Sequence, residues 1–216
     1  MMKKAGVLRM KNLKKQIRIL AQKYAKELNA KVAERVEAMK DDDASHYLIY
    51  RVLGIDDKEG YMIDLYQNKG RFLYKYAGSF LEEAAMKCFQ FRYPQAKKIR
   101  IDNNQGNRPK TFEIDCLIDN NAYEIKWRDA TTDGDHITKE HTRVKTVQSY
   151  GYKPVRIMFY YPNREQAIKI QKTLETLYLG VDGEYVYGEA AWKYLFDKTG
   201  VDLKLMLMEI ASENGG

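Results

Sequence analysis

The chain has 216 residues and a mass of 25.3 kDa, enough for one domain with appendages or two small ones. Its 44% hydrophobic and 31% charged residues exclude wholesale disorder, and no apolar run reaches the roughly 18–20 residues of a membrane-spanning helix. The net charge of +7 is local: residues 1–40 carry twelve Lys/Arg against three acids, and the remainder carries 25 against 27.

Met1-Met2-Lys3-Lys4-Ala5-Gly6 leads into a lysine-rich stretch and not into an apolar signal core, so the expectation is a soluble, cytoplasmic protein with no membrane partner. Cys88 and Cys116 are too few for a disulfide framework or a four-cysteine zinc site. From Leu13, apolar residues at Ile17, Leu20, Tyr24, Leu28, Val32, Val36 and Met39 fall on one stripe of a long helix with lysines on its other faces. Such a basic arm suits contact with a polyanion, since each Lys or Arg near a phosphate releases counterions; a solvated helix face fits the same residues. Asp41-Asp42-Asp43-Ala44 ends it. A short helix over Tyr47–Leu53 closes at Gly54, and a helical region over Tyr61–Phe91 is predicted to break near Asn68-Lys69-Gly70 and at Gly78, ending at Tyr93-Pro94.

Strands follow. Lys98–Ile101 is short; Thr111–Ile118 alternates, with Phe112, Ile114, Cys116 and Ile118 on one face and Glu113 and Asp115 on the other. Asn120-Asn121 marks a turn into Tyr123–Arg128, giving a β-hairpin. Asp135 caps a helix over His136–Tyr150, Pro154–Tyr161 is a buried strand, and Asn163 with Gln166 opens a helix over Arg164–Tyr178. Gly188–Thr199 and Asp202–Ser212 read as closing helices. The order predicts an α/β (α+β) fold, a small mixed central β-sheet flanked by helices, with an N-terminal helical lobe or arm. The divisions expected are a basic helical arm over 1–70, a core over 71–180 and a helical extension over 181–216.

With Asn120-Asn121 as a two-residue loop, Leu117 opposes Glu124 and Asp115 opposes Lys126, so Asp115, Glu124 and Lys126 share one sheet face. Two carboxylates in that arrangement suit a hard divalent cation such as Mg2+, with the backbone carbonyl of Ile125 as a further ligand. A lysine beside them orients or helps deprotonate a water and faces a scissile phosphate. The chemistry is metal-dependent phosphodiester hydrolysis. The same spacing also fits a surface hairpin carrying one cross-strand salt bridge.

Asp115 followed by Glu124-Ile125-Lys126 resembles the PD-(D/E)XK nuclease motif, with Ile114 where the weakly kept proline would stand. Gly78-Ser79-Phe80-Leu81-Glu82-Glu83 is similar to the first core helix of that superfamily, which often supplies one more glutamate to the metal site. Glu82 is the match, with Glu83 the near alternative. The resemblance spans residues 78–161. Within it, Tyr123-Glu124-Ile125-Lys126-Trp127-Arg128-Asp129-Ala130-Thr131-Thr132-Asp133-Gly134-Asp135-His136 resembles the ApaLI-like group of type II restriction endonucleases. That resemblance implies a prokaryotic restriction-modification enzyme. It would be a twofold homodimer cutting a short duplex palindrome (GTGCAC in the group's namesake) and leaving 5′-phosphate and 3′-hydroxyl ends.

Beside the motif, Arg128, Asp129, Thr131, Thr132, Asp133, His136, Lys139, His141 and Arg143 are side chains able to read base edges or phosphates. A capped surface helix with Ile137, Val144 and Val147 inward fits the same segment. His136 and His141, five positions apart, lie about 140° apart on a helix and make a poor zinc pair. No glycine loop of the ATPase type is present, so no nucleotide cofactor is expected. Two other readings predict different behaviour. A structure-selective nuclease of the junction-resolvase or repair type would not cut plain duplex at one fixed sequence. A non-catalytic DNA-binding protein would never nick, whatever the magnesium.

Overall fold

A computed structural model describes residues 2–128 and 135–214 of the chain. The apolar stripe and its lysine-rich surroundings form one long helix, α1 (Met2–Ala38), closed by a single 3-10 turn at Met39–Asp41. After a short α2 (Tyr47–Val52) comes α3 (Asp57–Arg92), whose start is fixed by Asp56 accepting the Glu59 N–H at 2.8 Å. The predicted breaks at Asn68-Lys69-Gly70 and Gly78 are absent: α3 runs through them. An isolated glycine costs a helix only about 1 kcal/mol relative to alanine, and neither glycine has anything within 4 Å of where a Cβ would stand. Two such isolated costs are small against a helix of 36 residues. Among the described residues no helix is long and apolar enough to cross a membrane.

The remaining elements are β1 (Lys97–Asp102), β2 (Thr111–Ile118), β3 (Asn121–Arg128), α4 (Asp135–Ser149), β4 (Lys153–Tyr160), α5 (Glu165–Leu179), β5 (Glu184–Tyr187), α6 (Glu189–Thr199) and α7 (Leu203–Asn214). The strands make one mixed sheet in the order β1-β2-β3-β4-β5. The first three are an antiparallel meander, and β3, β4 and β5 are parallel, joined by α4 and α5 as crossovers. The protein therefore has an α+β fold, with helices flanking a five-stranded sheet.

The strand β5 escapes the sequence reading. Its four residues, Glu-Tyr-Val-Tyr, are too few to show a period. What fixes them is the β4 edge and Gly183, where an added Cβ would stand 2.6 Å from the Pro154 carbonyl oxygen and 2.8 Å from that of Tyr178. The opening of α5 also differs. Arg164 is the N-cap, in extended conformation and without a side-chain cap bond, where Asn163 was expected.

Two compact units make up the chain, one of residues up to Ile17 with those from Leu81 onward, the other Arg18–Phe80. In the helical unit Tyr24 meets Tyr76 and Phe80 edge-on, and Asp64 accepts from Tyr50 (2.9 Å) and pairs with His46 (3.0 Å). In the sheet unit, Ile101, Phe112, Ile114, Leu117, Ala122 and Val147 form one buried cluster. Val144, Ile170, Leu174, Tyr178 and Tyr185 form a second, holding α4 and α5 against the sheet.

Candidate active site

The β2–β3 turn falls at Asp119-Asn120, one residue earlier than predicted, with Asp119 in the left-handed region at φ 50°. Leu117 therefore opposes Ala122 and not Glu124. This offset from the predicted register is two positions, an even number, so it leaves unchanged which residues share a face near the turn. A second irregularity was not foreseen. Between β1 and β2 the pairing steps from Lys97 opposite Leu117 to Ile99 opposite Ile114, so one residue of β1, Lys98, faces two of β2. The extra residue is a β-bulge at Asp115–Cys116, which re-aims a side chain and interrupts the ladder. Leu117 accordingly joins Phe112 and Ile114 in one apolar cluster, against the strict alternation expected of β2. The β2–β3 pairing runs from Ile118–Asn121 to Cys116–Tyr123, and beyond it the Asp115 carboxylate accepts the Ile125 N–H at 2.8 Å.

Asp115 is 5% exposed. Its carboxylate lies with those of Glu82 on α3 and Glu113 on β2, one oxygen from each within 4.8 Å of the others. Lys98 of β1 pairs with Glu82 and, at 3.0 Å, with Glu113. Burial, and then the charge of Glu124, push the Asp115 carboxyl well above the usual carboxylate range. Glu113 moves the other way, held down by its hydrogen bond from Lys98. An oxygen-only donor set, two half-buried glutamates around a buried acid that resists ionising, is what a hard divalent cation offsets, so the residues present fit such an ion.

On the adjoining side Glu124, also 5% exposed, meets Lys126 Nζ at 2.5 Å through Oε1 and receives a hydrogen bond from Arg143 Nη1 at 2.8 Å through Oε2. The same Arg143 nitrogen donates to the Glu113 carbonyl at 2.8 Å, so α4 ties β2 to β3 where their ladder stops. Behind them the fully buried Arg156 pairs with Glu140 at 3.1 Å, and the Tyr178 hydroxyl donates to the same Glu140 oxygen at 2.6 Å. Burial would raise the Glu124 carboxyl, but Lys126, Arg143 and Arg156 outweigh it and hold it below the usual range. For Lys126 burial favours the neutral amine, yet Glu124 and Asp115 prevail and keep the ammonium charged.

Of the sequence-derived candidates, Asp115 and Glu82 share one cluster, Glu124 and Lys126 the adjoining one, and Glu83 belongs to neither carboxylate group. Ile125 engages through its N–H. Lys139 and His141 are exposed on α4, whereas Arg128 and His136 are half-buried. Arg143, read as a DNA-facing side chain, is turned inward onto Glu124 and the Phe112 ring. Asp129, Thr131, Thr132 and Asp133 lie outside the described residues. Glu113, Lys98 and the Arg156–Glu140 pair went unassigned. A signal for Glu113 was present, since it alternates with Asp115 on one strand. The arginine inside the apolar run Pro154–Tyr161 likewise demanded a buried acid.

No curated protein and no solved structure matches the chain. A family description does match, that of ApaLI-like restriction endonucleases, over residues 2–212. Since the match takes in the Glu82 helix, the bulged hairpin and the helices after it, nearly end to end, the chain belongs to the ApaLI-like restriction endonuclease family.

Proposed function

We propose that the protein is a type II restriction endonuclease that hydrolyses DNA phosphodiester bonds with Mg2+ at a short palindromic duplex sequence, acting as a homodimer in the prokaryotic cytoplasm. The observation that carries this reading is the buried Asp115 carboxylate at the β2 bulge, flanked by Glu82 on one side and the Glu124–Lys126 pair on the other.

Asp115, Glu124 and Glu82, with the Ile125 carbonyl, would hold the ion. When bound, it supplies positive charge at the phosphate and acidifies a water. The rest falls to the chain. Lys126, kept protonated by Glu124 and Asp115, presents an ammonium to the scissile phosphate and fixes the attacking water by donating to it. That water's oxygen bonds to phosphorus and its proton passes to solvent. The bond from phosphorus to the 3′-oxygen breaks, and that oxygen keeps the electron pair and takes a proton from solvent water, leaving a 5′-phosphate and a 3′-hydroxyl. Arg143 and Arg156 keep Glu124 ionised, so no proton needs to leave it before it can act as a ligand. Outside the chemistry, exposed Lys139 and His141 on α4, with Arg128 at the end of β3, are the groove-reading surface of this proposal. A palindrome has twofold symmetry, which a twofold dimer matches with one site for each strand.

The test is incubation with phage DNA and Mg2+, followed by end-mapping. Discrete fragments sharing one palindromic end sequence are expected, and Lys126→Ala should bind the same DNA without cutting it. Ordinary cutting by Lys126→Ala, or cleavage confined to branched DNA, overturns the reading.

A further inference from the structure

Lys98 lies on β1 between Lys97 and Ile99, the two residues that straddle the β2 bulge, and so sits across from Asp115–Cys116. Its ammonium reaches over the bulge to Glu82 on α3 and, at 3.0 Å, to Glu113 on β2. These are two of the three carboxylates whose oxygens gather within 4.8 Å. Glu113 has only a long second contact, from Arg100 at 3.4 Å. Lys98 itself is 44% exposed along its side chain, so its flexible stem can swing the ammonium into water with little loss of packing.

We infer that Lys98 is the resident counter-ion of this carboxylate cluster, and that a divalent cation must displace its ammonium in order to bind. An ammonium and a divalent cation compete for the same oxygens and repel one another across a few ångströms. Metal affinity is therefore set below what the same site would have without Lys98. The inference rests on the reading of Asp115 as a metal ligand. Nothing in the nuclease motif calls for a lysine on the edge strand; the bulge and the two ion pairs point to it.

The experiment uses the full chain with Mn2+ as a paramagnetic probe, measuring free ion in titrations of wild type, Lys98→Met, Lys98→Arg and Asp115→Asn. Lys98→Met should bind Mn2+ about tenfold more tightly, the scale set by one unit charge within a few ångströms of a carboxylate site. Lys98→Arg keeps the charge and should match wild type. Equal or weaker binding by Lys98→Met, with binding lost in Asp115→Asn, overturns the inference and leaves the active-site reading standing. Undiminished binding by Asp115→Asn overturns both. A second measurement needs no variant: Mg2+ should speed acetic-anhydride labelling of Lys98 in the wild-type protein, read by peptide mass. Labelling that is unchanged or slowed by Mg2+ overturns the inference.

Discussion

Arg143→Met removes a charge while keeping most of a side chain's bulk, and so isolates what the guanidinium does. Its Nη1 serves Glu124 and the Glu113 carbonyl at 2.8 Å each, its Nε faces Glu140 at 3.4 Å, and the group lies over the Phe112 ring at 5.1 Å. Removing one partner of a buried ion pair costs about 3–5 kcal/mol. Here Lys126 remains at 2.5 Å from Glu124, Arg156 remains behind it, and Arg143 is 16% exposed along its side chain. The expected loss is therefore about 2–3 kcal/mol at pH 7. Both tryptophans, Trp127 on β3 and Trp192 on α6, belong to the sheet unit, so their fluorescence in urea reports this unit directly. With a slope of about 1–3 kcal/mol per molar urea, the midpoint should fall by about 1–2 M.

The pH dependence separates charge from packing. Glu124 is held below the usual carboxylate range in the fold, so the stability it contributes is present above its unfolded value and is lost as pH falls through the folded one. The gap between wild type and Arg143→Met should be widest near neutrality and shrink as the acids protonate. A gap that stays constant as pH falls from the ordinary carboxylate range to about 2, or one below about 1 kcal/mol at pH 7, would refute the charge argument and leave only lost contact with Phe112.

Asp115→Asn should have the opposite signature. Burial and Glu124 push the Asp115 carboxyl upward, so the wild-type fold loses stability as pH rises from the ordinary carboxylate range toward the folded value. Asparagine carries no charge and still accepts from the Ile125 N–H. Metal-free Asp115→Asn should thus melt above wild type at pH 8, by a margin that narrows steadily toward about pH 4, while losing DNA cleavage; a margin that grows toward acid would contradict this. Gly183→Ala should cost about 2 kcal/mol or more, because its Cβ would stand 2.6 Å from the Pro154 carbonyl oxygen, and an unchanged melting temperature would refute the close approach. Gly70→Ala, in open space within α3, should instead stabilise by about 0.5–1 kcal/mol by circular dichroism, and a loss would show that the glycine has a packing role.

What the sequence made legible was periodic. The stripe from Leu13, the alternation of Thr111–Ile118 and the apolar run before Tyr160 each became the element their spacing implied. The misses were set by tertiary structure. Gly70 and Gly78 carry a real local cost, yet α3 overrides it, and four residues of β5 take strand form only because β4 offers an edge. The bulge at Asp115–Cys116 leaves no mark on the pattern of Thr111–Ile118. It depends on how β1 meets β2, a partnership the sequence does not display. Arg143 was misjudged for a related reason. A polar residue on an amphipathic helix is read as solvated, but this one sits where two strands part and leave a carbonyl and a buried acid to be satisfied.

The charges around the bulge explain why Asp115 is the centre. Glu82 and Glu113 share Lys98, Glu124 has Lys126 and Arg143, and Glu140 has Arg156, so each of these acids is ion-paired to a neighbouring cation. Asp115, equally buried, accepts instead from a backbone N–H, a dipole and not a charge. It lies with the ion-paired Glu82 and Glu113, one oxygen of each within 4.8 Å of the others, and close enough to Glu124 to feel its charge. The fold thus concentrates its deficit of positive charge at one carboxylate. An added cation gains most there, and nearby Lys126 is already charged to face whatever anion comes with it.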